Sequence, residues 1–361
     1  MAGCLRYFVK RGFVLAGLVT LVSSVATAQD WSTQTVDAAG SDGAFHSLAF
    51  SPVTGFPAIA YSGTSGRTGV LKLATWNGAT WTIQTVDSAS SEPISLAFDP
   101  AGNPAISYGN GQVKFARWTG TSWSIQAIDS NSGISSLKFH NGQPSIAYGY
   151  SVKKGNKTTN QLRLASLSGP TWTIETVVDG VSVLYPSLAF ASDGSPSVAY
   201  GASGNLNFAQ KSGSTWSSQS IEAGGTFASL AYDPLTGYPT IAHVPGPCCG
   251  GGVRFDRWDG SQWISEIVVA SGAGAPSLAY DGGGIAAISY RVAPGPNGFM
   301  QLWFSSRTGC SGTCWTNQLV QDFSPVLILG ATSLAFSPTG AAGISFGDYT
   351  NRDLKFAQQG P

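Results

Sequence analysis

The chain has 361 residues, with 19 Lys plus Arg against 19 Asp plus Glu, and only 11% of its residues are charged. This balance leaves no basic surplus for binding nucleic acid or an anionic membrane surface. The 46 glycines and abundant Ser, Thr and Ala would indicate disorder if they were aperiodic. Regularly spaced aromatic and β-branched residues indicate instead an all-β chain with tight turns.

The first 28 residues predict a secretion signal. A basic segment over residues 6–11 precedes an apolar run from Phe13 to Val25, and Ala26-Thr27-Ala28 has the small-x-small pattern of a cleavage site. The apolar run is shorter than the roughly 20 residues that span a bilayer, which disfavours an uncleaved anchor. We therefore predict cleavage after Ala28, export, and a single mature domain over residues 29–361 with no further membrane span.

A four-strand unit recurs along the mature chain. In residues 95–129, the runs SLAF, PAISY, VKFARW and WSIQAID are joined by turns rich in Gly, Pro, Asn and Asp. The tryptophans that open the fourth run are Trp31, Trp81, Trp123, Trp172, Trp216, Trp263 and Trp315. Seven such units of four short strands predict an all-β fold, a single seven-bladed β-propeller.

The two ends of the chain predict how the ring closes. Trp31 to Asp37 have the pattern of a fourth strand with no strand before it, and Leu354 to Ala357 have that of a third strand with none after it. We expect the N-terminal strand to complete the last blade beside Lys355, because this closure leaves no unpaired edge.

Connection lengths separate the two faces of the predicted ring. The 1–2 and 3–4 turns are short and uniform, whereas the 2–3 and 4–1 connections vary and share the opposite face, which we call the variable face. In the third blade we predict a 2–3 loop from Gly149 to Gln161 that carries Lys153, Lys154 and Lys157. Variable loops gathered on one face mark it as the functional side.

Three repeated positions lie near the variable face, at the end of strand two, the start of strand three and the end of strand four. The last of these positions is acidic in six units. The ligand-binding candidates are Tyr61, Tyr108, Tyr148, Tyr200, His243 and Tyr290, with Lys72, Lys114 and Lys355 as polar partners. An aromatic ring beside charged groups suits a sugar, whose C–H groups pack on the ring and whose hydroxyls need polar partners. In the alternative interpretation, the tyrosine and the Lys–Asp pair tie each blade to its neighbour.

The mature chain has four cysteines in two pairs. Cys248 and Cys249 lie in a 2–3 connection, and Cys310 and Cys314 lie in a 3–4 connection on the opposite face. Export favours oxidation. We predict a Cys310–Cys314 disulfide, and either a vicinal Cys248–Cys249 disulfide or two free thiols. Pairs on opposite faces cannot converge on one zinc ion, so no metal site is predicted from them.

The three histidines, His46, His140 and His243, fall in three different repeats. A metal triad or a Ser-His-Asp relay would require them to lie together with an acid. We therefore predict no catalytic site that uses them.

The 3–4 turns resemble the Asp-box (BNR) repeat of sialidase-type propellers. Gly78-Ala79-Thr80-Trp81 and Gly120-Thr121-Ser122-Trp123 match half of the S-x-D-x-G-x-T-W motif, whereas Trp76 and Trp118 occupy its Asp position. The resemblance implies a propeller. A sialidase would also need an arginine triad, a tyrosine nucleophile with a glutamate, and another acid. No arginines at three recurring positions supply such a triad in this sequence. The Trp- and Tyr-rich repeats are also similar to seven-bladed bacterial lectins, which bind sugars between blades.

We therefore predict an exported, non-catalytic module that binds glycans at several equivalent sites on the variable face. One alternative is a protein-interaction scaffold that uses the connections over residues 149–161 and 244–252. The other is a glycan-cleaving enzyme, which needs a cluster of acids on one face. We expect extracellular glycans or surface proteins as partners, no nucleic acid, no cofactor and a monomeric chain.

Overall fold

A computed structural model of the protein describes residues 30–38, 45–65, 68–88, 93–109, 111–246, 251–292, 300–308, 314–323, 331–348 and 351–360. The regular structure within these ranges is β-strand. Among the residues so described, no helix is long and apolar enough to cross a membrane. The predicted secretion signal lies outside the described residues.

Within the described residues, 28 strands form seven four-stranded sheets, which are the blades. Blade one contains β2 (His46–Phe50), β3 (Pro57–Ser65), β4 (Thr68–Trp76) and β5 (Trp81–Asp87). Blade two contains β6 (Ser95–Phe98), β7 (Pro104–Gly109), β8 (Gln112–Trp118) and β9 (Trp123–Ser130). Blade three contains β10 (Ser132–His140), β11 (Gln143–Lys154), β12 (Lys157–Ser168) and β13 (Thr171–Asp179).

Blade four contains β14 (Leu184–Phe190), β15 (Pro196–Ala202), β16 (Asn205–Ser212) and β17 (Thr215–Ala223). Blade five contains β18 (Thr226–Tyr232), β19 (Pro239–Val244), β20 (Val253–Trp258) and β21 (Trp263–Val269). Blade six contains β22 (Ala273–Tyr280), β23 (Ala286–Val292), β24 (Met300–Arg307) and β25 (Trp315–Phe323). Blade seven contains β26 (Ser333–Phe336), β27 (Ala342–Asp348), β28 (Asp353–Gln359) and the N-terminal β1 (Trp31–Asp37).

The ring closes as the ends of the sequence predict. The strand order of the last sheet is β26-β27-β28-β1, and Thr35 on β1 pairs with Lys355 on β28. The first strand of each blade contacts the first strand of the next, and β26 contacts β2. The predicted seven-bladed propeller is therefore confirmed, and the first and last described strands are held in one sheet.

The core lies between the blades. Each of the seven apolar clusters combines residues from two neighbouring blades. Leu71 of blade one and Ile106 of blade two, for example, belong to the same cluster, and both are fully buried. Complete burial of such a side chain contributes roughly 1.5–3 kcal/mol, so each blade depends on its neighbours for stability.

The serine of each SLAF run links the inner strands. At every junction its Oγ accepts a hydrogen bond from the backbone N–H of the leucine in the next SLAF run, at 2.9–3.0 Å. Leu96, for instance, donates to Ser47 at 3.0 Å. The inner strand has no partner strand on its axial edge, so this bond satisfies a donor that would otherwise lack a partner. The repetition of this serine therefore has a structural cause.

The repeated tryptophan packs on the preceding blade. The Trp81 ring meets Phe356 edge-on at 5.5 Å, and its Nε1 donates to Gln34 Oε1 at 3.0 Å. Equivalent ring contacts join the pairs Trp172–Phe115, Trp263–Phe208, Trp315–Phe255 and Trp31–Phe304. Such aromatic pairs contribute about 0.5–1.5 kcal/mol beyond burial, so the clearest landmark of the repeat is a packing residue.

The third blade differs from the sequence prediction. The loop expected over residues 149–161 is instead a paired hairpin, because β11 and β12 remain in register from Gly149–Leu162 to Lys154–Lys157. The reversal lies at Gly155 and Asn156. An exposed two-stranded hairpin needs no apolar face, so its polar sequence resembles that of a loop.

Candidate functional site

The candidate tyrosines of strand two lie between the blades. Tyr61, Tyr108 and Tyr148 have 0% exposure, Tyr290 has 1% and Tyr200 has 2%. The first three hydroxyls donate to the acid that ends strand four of the preceding blade, in the pairs Tyr61–Asp37 (2.6 Å), Tyr108–Asp87 (2.7 Å) and Tyr148–Asp129 (2.8 Å). These rings have no free face on which a sugar could stack.

The same carboxylates bind the basic residue that begins strand three. The ion pairs are Lys72–Asp37 (3.0 Å), Lys114–Asp87 (3.0 Å) and Arg163–Asp129 (2.8 Å). Although burial alone would raise the pKa of Asp87, the Tyr108 hydroxyl and the Lys114 ammonium outweigh it and lower that pKa. Burial and the adjacent carboxylate raise the pKa of Tyr108 far above its ordinary value. The tyrosine therefore stays protonated and keeps donating.

The remaining blades use variants of this arrangement. The hydroxyl groups of Tyr200 and Tyr290 contact serines within their own blades, in the pairs Tyr200–Ser218 (2.8 Å) and Tyr290–Ser305 (2.9 Å). Lys355 lies 3.6 Å from Asp348 and 3.5 Å from Asp353, and it donates to Thr35 at 3.1 Å. In the described structure the repeated Tyr, Lys and Asp positions therefore tie strands and blades together, which is the alternative that the sequence left open.

Blade five departs from this pattern around His243, which occupies the tyrosine position and is fully buried. Its Nε2 lies 2.9 Å from Asp256 Oδ2 and 3.2 Å from Glu222 Oε2. Arg254 contacts the other oxygen, Oε1, of Glu222. Burial opposes a charged imidazole, but the contacts with Asp256 and Glu222 outweigh it and raise the pKa of His243 to about 9.

Sequence reasoning missed Asp256. The equivalent position on strand three of the other blades holds a small residue, namely Ala74, Ala116, Ala165, Ala209, Ser305 and Ala357. The signal that could have identified this cluster is a double departure from the repeat, His for Tyr and Asp for a small residue, within one blade.

The other two histidines lie in different blades. His46 begins β2, and its Nδ1 contacts Ser345 Oγ at 2.8 Å. Burial lowers the pKa of His46 to about 4, so this ring is neutral at neutral pH. His140 ends β10 and stacks on Phe190 with ring centroids 4.9 Å apart.

Of the four cysteines, the described residues include Cys314, which packs against the core between blades five and six. Cys248, Cys249 and Cys310 lie outside the described residues. The predicted disulfides therefore remain predictions.

An axial cavity opens on the variable face. Its volume is about 260 Å³, and it is lined by residues at the starts of the inner strands of six blades, together with Arg291 near the end of β23. The lining comprises Phe45, His46, Pro93, Ile94, Tyr185, Phe227, Ala275, Arg291 and Ala331. The cavity is therefore an apolar, partly aromatic chamber where the blades converge.

Two aromatic residues enter this cavity from strained backbone. Tyr185 has φ 46° and Phe227 has φ 54°, in the left-handed region that bulky residues rarely adopt. Their rings stack with centroids 4.1 Å apart. The strand pairing shifts register at both positions, as at a β-bulge. Ala275 of blade six has a left-handed φ of 52° and a register shift at the equivalent place, so this bulge is a repeated feature that brings the side chains of three blades to the cavity.

Arg291 supplies the charge of the axial cavity. Among the described residues, its guanidinium has no ion-pair or hydrogen-bond partner. Every other arginine in blades two to six forms an ion pair with a carboxylate. An uncommitted guanidinium at an apolar cavity can bind a carboxylate, a sulfate or several hydroxyl oxygens.

A second cavity lies on the opposite face between blades one and two. It has a volume of about 560 Å³, and Trp76, Trp118 and Phe56 form part of its wall. The amides of Asn77 and Asn103 at its rim are committed to hydrogen bonds within their own turns. This groove therefore offers aromatic surface to a ligand, but the side-chain amides of Asn77 and Asn103 are already used in hydrogen bonds within the protein.

No protein-family model and no curated protein matches the sequence. The extracellular domain assigned to a one-component system of B. thetaiotaomicron is 12% identical, with a TM-score of 0.56 over 91% of this chain and 40% of that chain. An α-L-arabinanase of Penicillium chrysogenum complexed with arabinobiose is 12% identical, with a TM-score of 0.50 over 73% of this chain and 91% of that chain. The NanB sialidase of Streptococcus pneumoniae is 12% identical, with a TM-score of 0.48 over 90% and 70%. At 12% identity, the likeness to the two structures with TM-scores of 0.56 and 0.50 shows the fold alone.

Proposed function

We propose that the protein is an exported glycan-binding propeller whose ligand site is the axial cavity of the variable face. The observation that carries the proposal is the convergence on one chamber of about 260 Å³ of Tyr185, Phe227 and Arg291, whose guanidinium has no partner in the part of the chain that the structure describes. The basic, apolar and small-residue pattern of the first 28 residues supports export.

The chemistry of the cavity suits one sugar unit. Aromatic rings offer an apolar surface for the C–H groups of a pyranose or furanose. The guanidinium of Arg291 donates several hydrogen bonds in a fixed plane, and it favours a sugar that carries a carboxylate or a sulfate. His46, neutral because its pKa is about 4, adds no charge to the site.

Binding without cleavage is the form of this function that the lining favours. Most glycoside hydrolysis uses two carboxyl groups on either side of the scissile bond. The described residues that line the cavity include neither Asp nor Glu. The described lining therefore favours a non-catalytic receptor, because it lacks the carboxyl groups that most glycosidases use.

The proposed valency differs from the sequence prediction. Seven equivalent sites would require the strand-two rings to face solvent, and the described tyrosines are buried. One axial cavity gives one ligand per chain, so tight binding of a polymeric glycan would depend on the contacts of this site and not on avidity.

A glycan array followed by calorimetry tests the proposal. The purified mature chain is expected to bind one sugar class, and acidic sugars more tightly than neutral analogues. Phe227→Gly removes a ring while suiting the positive φ, and Arg291→Gln removes the charge. Both are expected to weaken binding at least tenfold, whereas Trp118→Ala, on the opposite groove, is the matched control.

Three outcomes would count against the proposal. Loss of binding only in Trp118→Ala would move the site to the opposite face. Release of reducing sugar from the bound glycan would make the protein an enzyme. A blank array from a chain that melts cooperatively would favour the protein-interaction scaffold, and deletion of the tip of the β11–β12 hairpin would be tested next.

A further inference from the structure

We propose that Glu222, His243 and Asp256 form a binding site for a divalent transition-metal ion that joins blades four and five. Glu222 ends β17 of blade four, whereas His243 on β19 and Asp256 on β20 belong to blade five. One ligand atom from each residue converges here, and all three atoms lie within 4.8 Å of one another. This inference is independent of the proposed glycan site.

The three side chains attract one another electrostatically but do not complete hydrogen bonds with one another. His243 and Asp256 have 0% and 2% exposure. Among the described residues, neither ring nitrogen of His243 has a hydrogen-bond partner, and the same holds for Asp256 Oδ2 and Glu222 Oε2. The distances of 2.9 and 3.2 Å are those of close ion pairs, yet these atoms do not meet the geometry of a hydrogen bond. Buried polar atoms without partners are costly, which points to a bound group.

The spacing of these atoms suits a shared metal ion. Bonds of about 2.0–2.2 Å from nitrogen and carboxylate oxygen place neighbouring ligand atoms about 3.4 Å apart around a tetrahedral centre. The two separations from His243 Nε2, 2.9 Å to Asp256 and 3.2 Å to Glu222, are slightly shorter than this distance. A metal ion would thus require only small shifts of side chains that already point to one place.

The surroundings favour the same interpretation. Arg254 engages Oε1 of Glu222 and leaves Oε2 directed at the cluster, which is how a neighbouring residue orients a ligating carboxylate. Two carboxylates neutralise the charge of a divalent ion, and the imidazole supplies the third bond once it has released its proton to solvent. Three protein ligands leave at least one position for water.

The repeat explains why this junction differs from the others. In blades one to three a tyrosine hydroxyl donates to the acid of the preceding blade, and in the six other blades a small residue stands at the Asp256 position. Replacement of that tyrosine by histidine removes a simple donor, and the added aspartate brings a second negative group into the core. The two changes together create a ligand set that neither would create alone.

The mixed nitrogen and oxygen set selects among metals. Calcium prefers six to eight oxygen ligands, whereas imidazole with carboxylate suits Zn²⁺ and its neighbours in the first transition row. Zn²⁺ is therefore the probe, and Ca²⁺ is the comparison.

Equilibrium dialysis of the chelator-stripped mature chain against Zn²⁺ tests the site. We expect about one bound ion per chain, no comparable binding of Ca²⁺, and a higher melting temperature with Zn²⁺. At a free Zn²⁺ concentration of about one hundred times Kd, the folded-to-unfolded ratio should rise about a hundredfold. The double variant His243→Tyr/Asp256→Ala restores the residues of blades one and two, so it is expected to fold and to lose the ion.

Two variants keep the test decisive. Glu222→Gln changes one ligand atom with little change in shape and is expected to weaken Zn²⁺ binding at least tenfold. Cys248→Ser/Cys249→Ser removes the two cysteines between β19 and β20 and should leave Zn²⁺ binding unchanged. The proposal is overturned if the folded wild-type chain binds no Zn²⁺, if the double variant binds as tightly as wild type, or if binding depends on the cysteines instead.

Discussion

Replacing Tyr61 with phenylalanine separates the two interpretations of the repeated tyrosine. The ring is fully buried, and its hydroxyl donates to Asp37 at 2.6 Å across the junction that closes the ring. Asp37 keeps its ion pair with Lys72 after the substitution. A hydrogen bond to a charged group contributes about 1.5–3 kcal/mol, so Tyr61→Phe should lower the free energy of unfolding by about 2 kcal/mol without altering glycan binding.

Tyr290→Phe is the matched control. It removes the same hydroxyl from the same position of blade six, but this hydroxyl contacts the neutral Ser305 within its own blade at 2.9 Å. A neutral hydrogen bond contributes about 0.5–1.5 kcal/mol, so the loss should be about half as large. The difference between the two variants isolates the effect of the buried carboxylate.

Urea unfolding followed by tryptophan fluorescence measures both losses. The midpoints should fall while the slope m stays constant, because the surface exposed on unfolding is unchanged. Equal losses in the two variants, or an unchanged midpoint in Tyr61→Phe, would refute the tie between blades. Loss of glycan binding in a stable Tyr61→Phe protein would restore the tyrosines as ligand contacts.

Three further predictions concern stability. The pKa of His46 is about 4 in the folded chain against an ordinary value of 6.5, so the unfolded chain binds more protons between these pH values. The free energy of unfolding should therefore fall by up to about 3 kcal/mol as the pH falls from 6.5 to 4. Denaturation midpoints measured across this pH range check the prediction. Gly109→Ala should destabilise the second blade, as measured by its melting temperature, because an added Cβ would overlap the backbone oxygen of Gln112. Ser47→Ala should lower the urea midpoint by the equivalent of about 1–3 kcal/mol, because the N–H of Leu96 loses its acceptor.

Each of these has a control within the chain. His46→Gln should flatten the corresponding part of the pH dependence, and an unchanged profile would contradict the assignment. Gly133 has open space around its added Cβ, so Gly133→Ala should be nearly neutral, and a loss equal to that of Gly109→Ala would refute the steric argument. Ser32 contacts Gln358 only at 3.4 Å on the surface, so a loss in Ser32→Ala as large as in Ser47→Ala would refute the inner-ring role.

The architecture could be predicted because every blade repeats the same local pattern. Alternation in runs such as residues 104–108, turn residues at fixed offsets, and the spaced tryptophans each depend on near neighbours in the chain. Closure by β1 followed from counting strands. The last blade has three strands at the C-terminal end of the sequence, and β1 is a fourth strand that no other blade needs, so pairing them leaves no unpaired edge. Sequence alone therefore determined the fold, the number of blades and the sheet that the first and last strands share.

Only the tertiary structure decided what the repeated residues do. Tyr108 and Lys114 have the same sequence pattern whether they face solvent or the next blade, and the distance to Asp87 decides between these positions. Likewise, Arg291, Phe227 and Tyr185 are far apart in the chain and meet only where inner strands converge on the axis. Alternation specifies the face of a strand to which a side chain belongs, whereas packing between blades specifies what lies opposite that face. For this reason the sequence determined the ring, and the structure determined which of its residues remain available for a ligand.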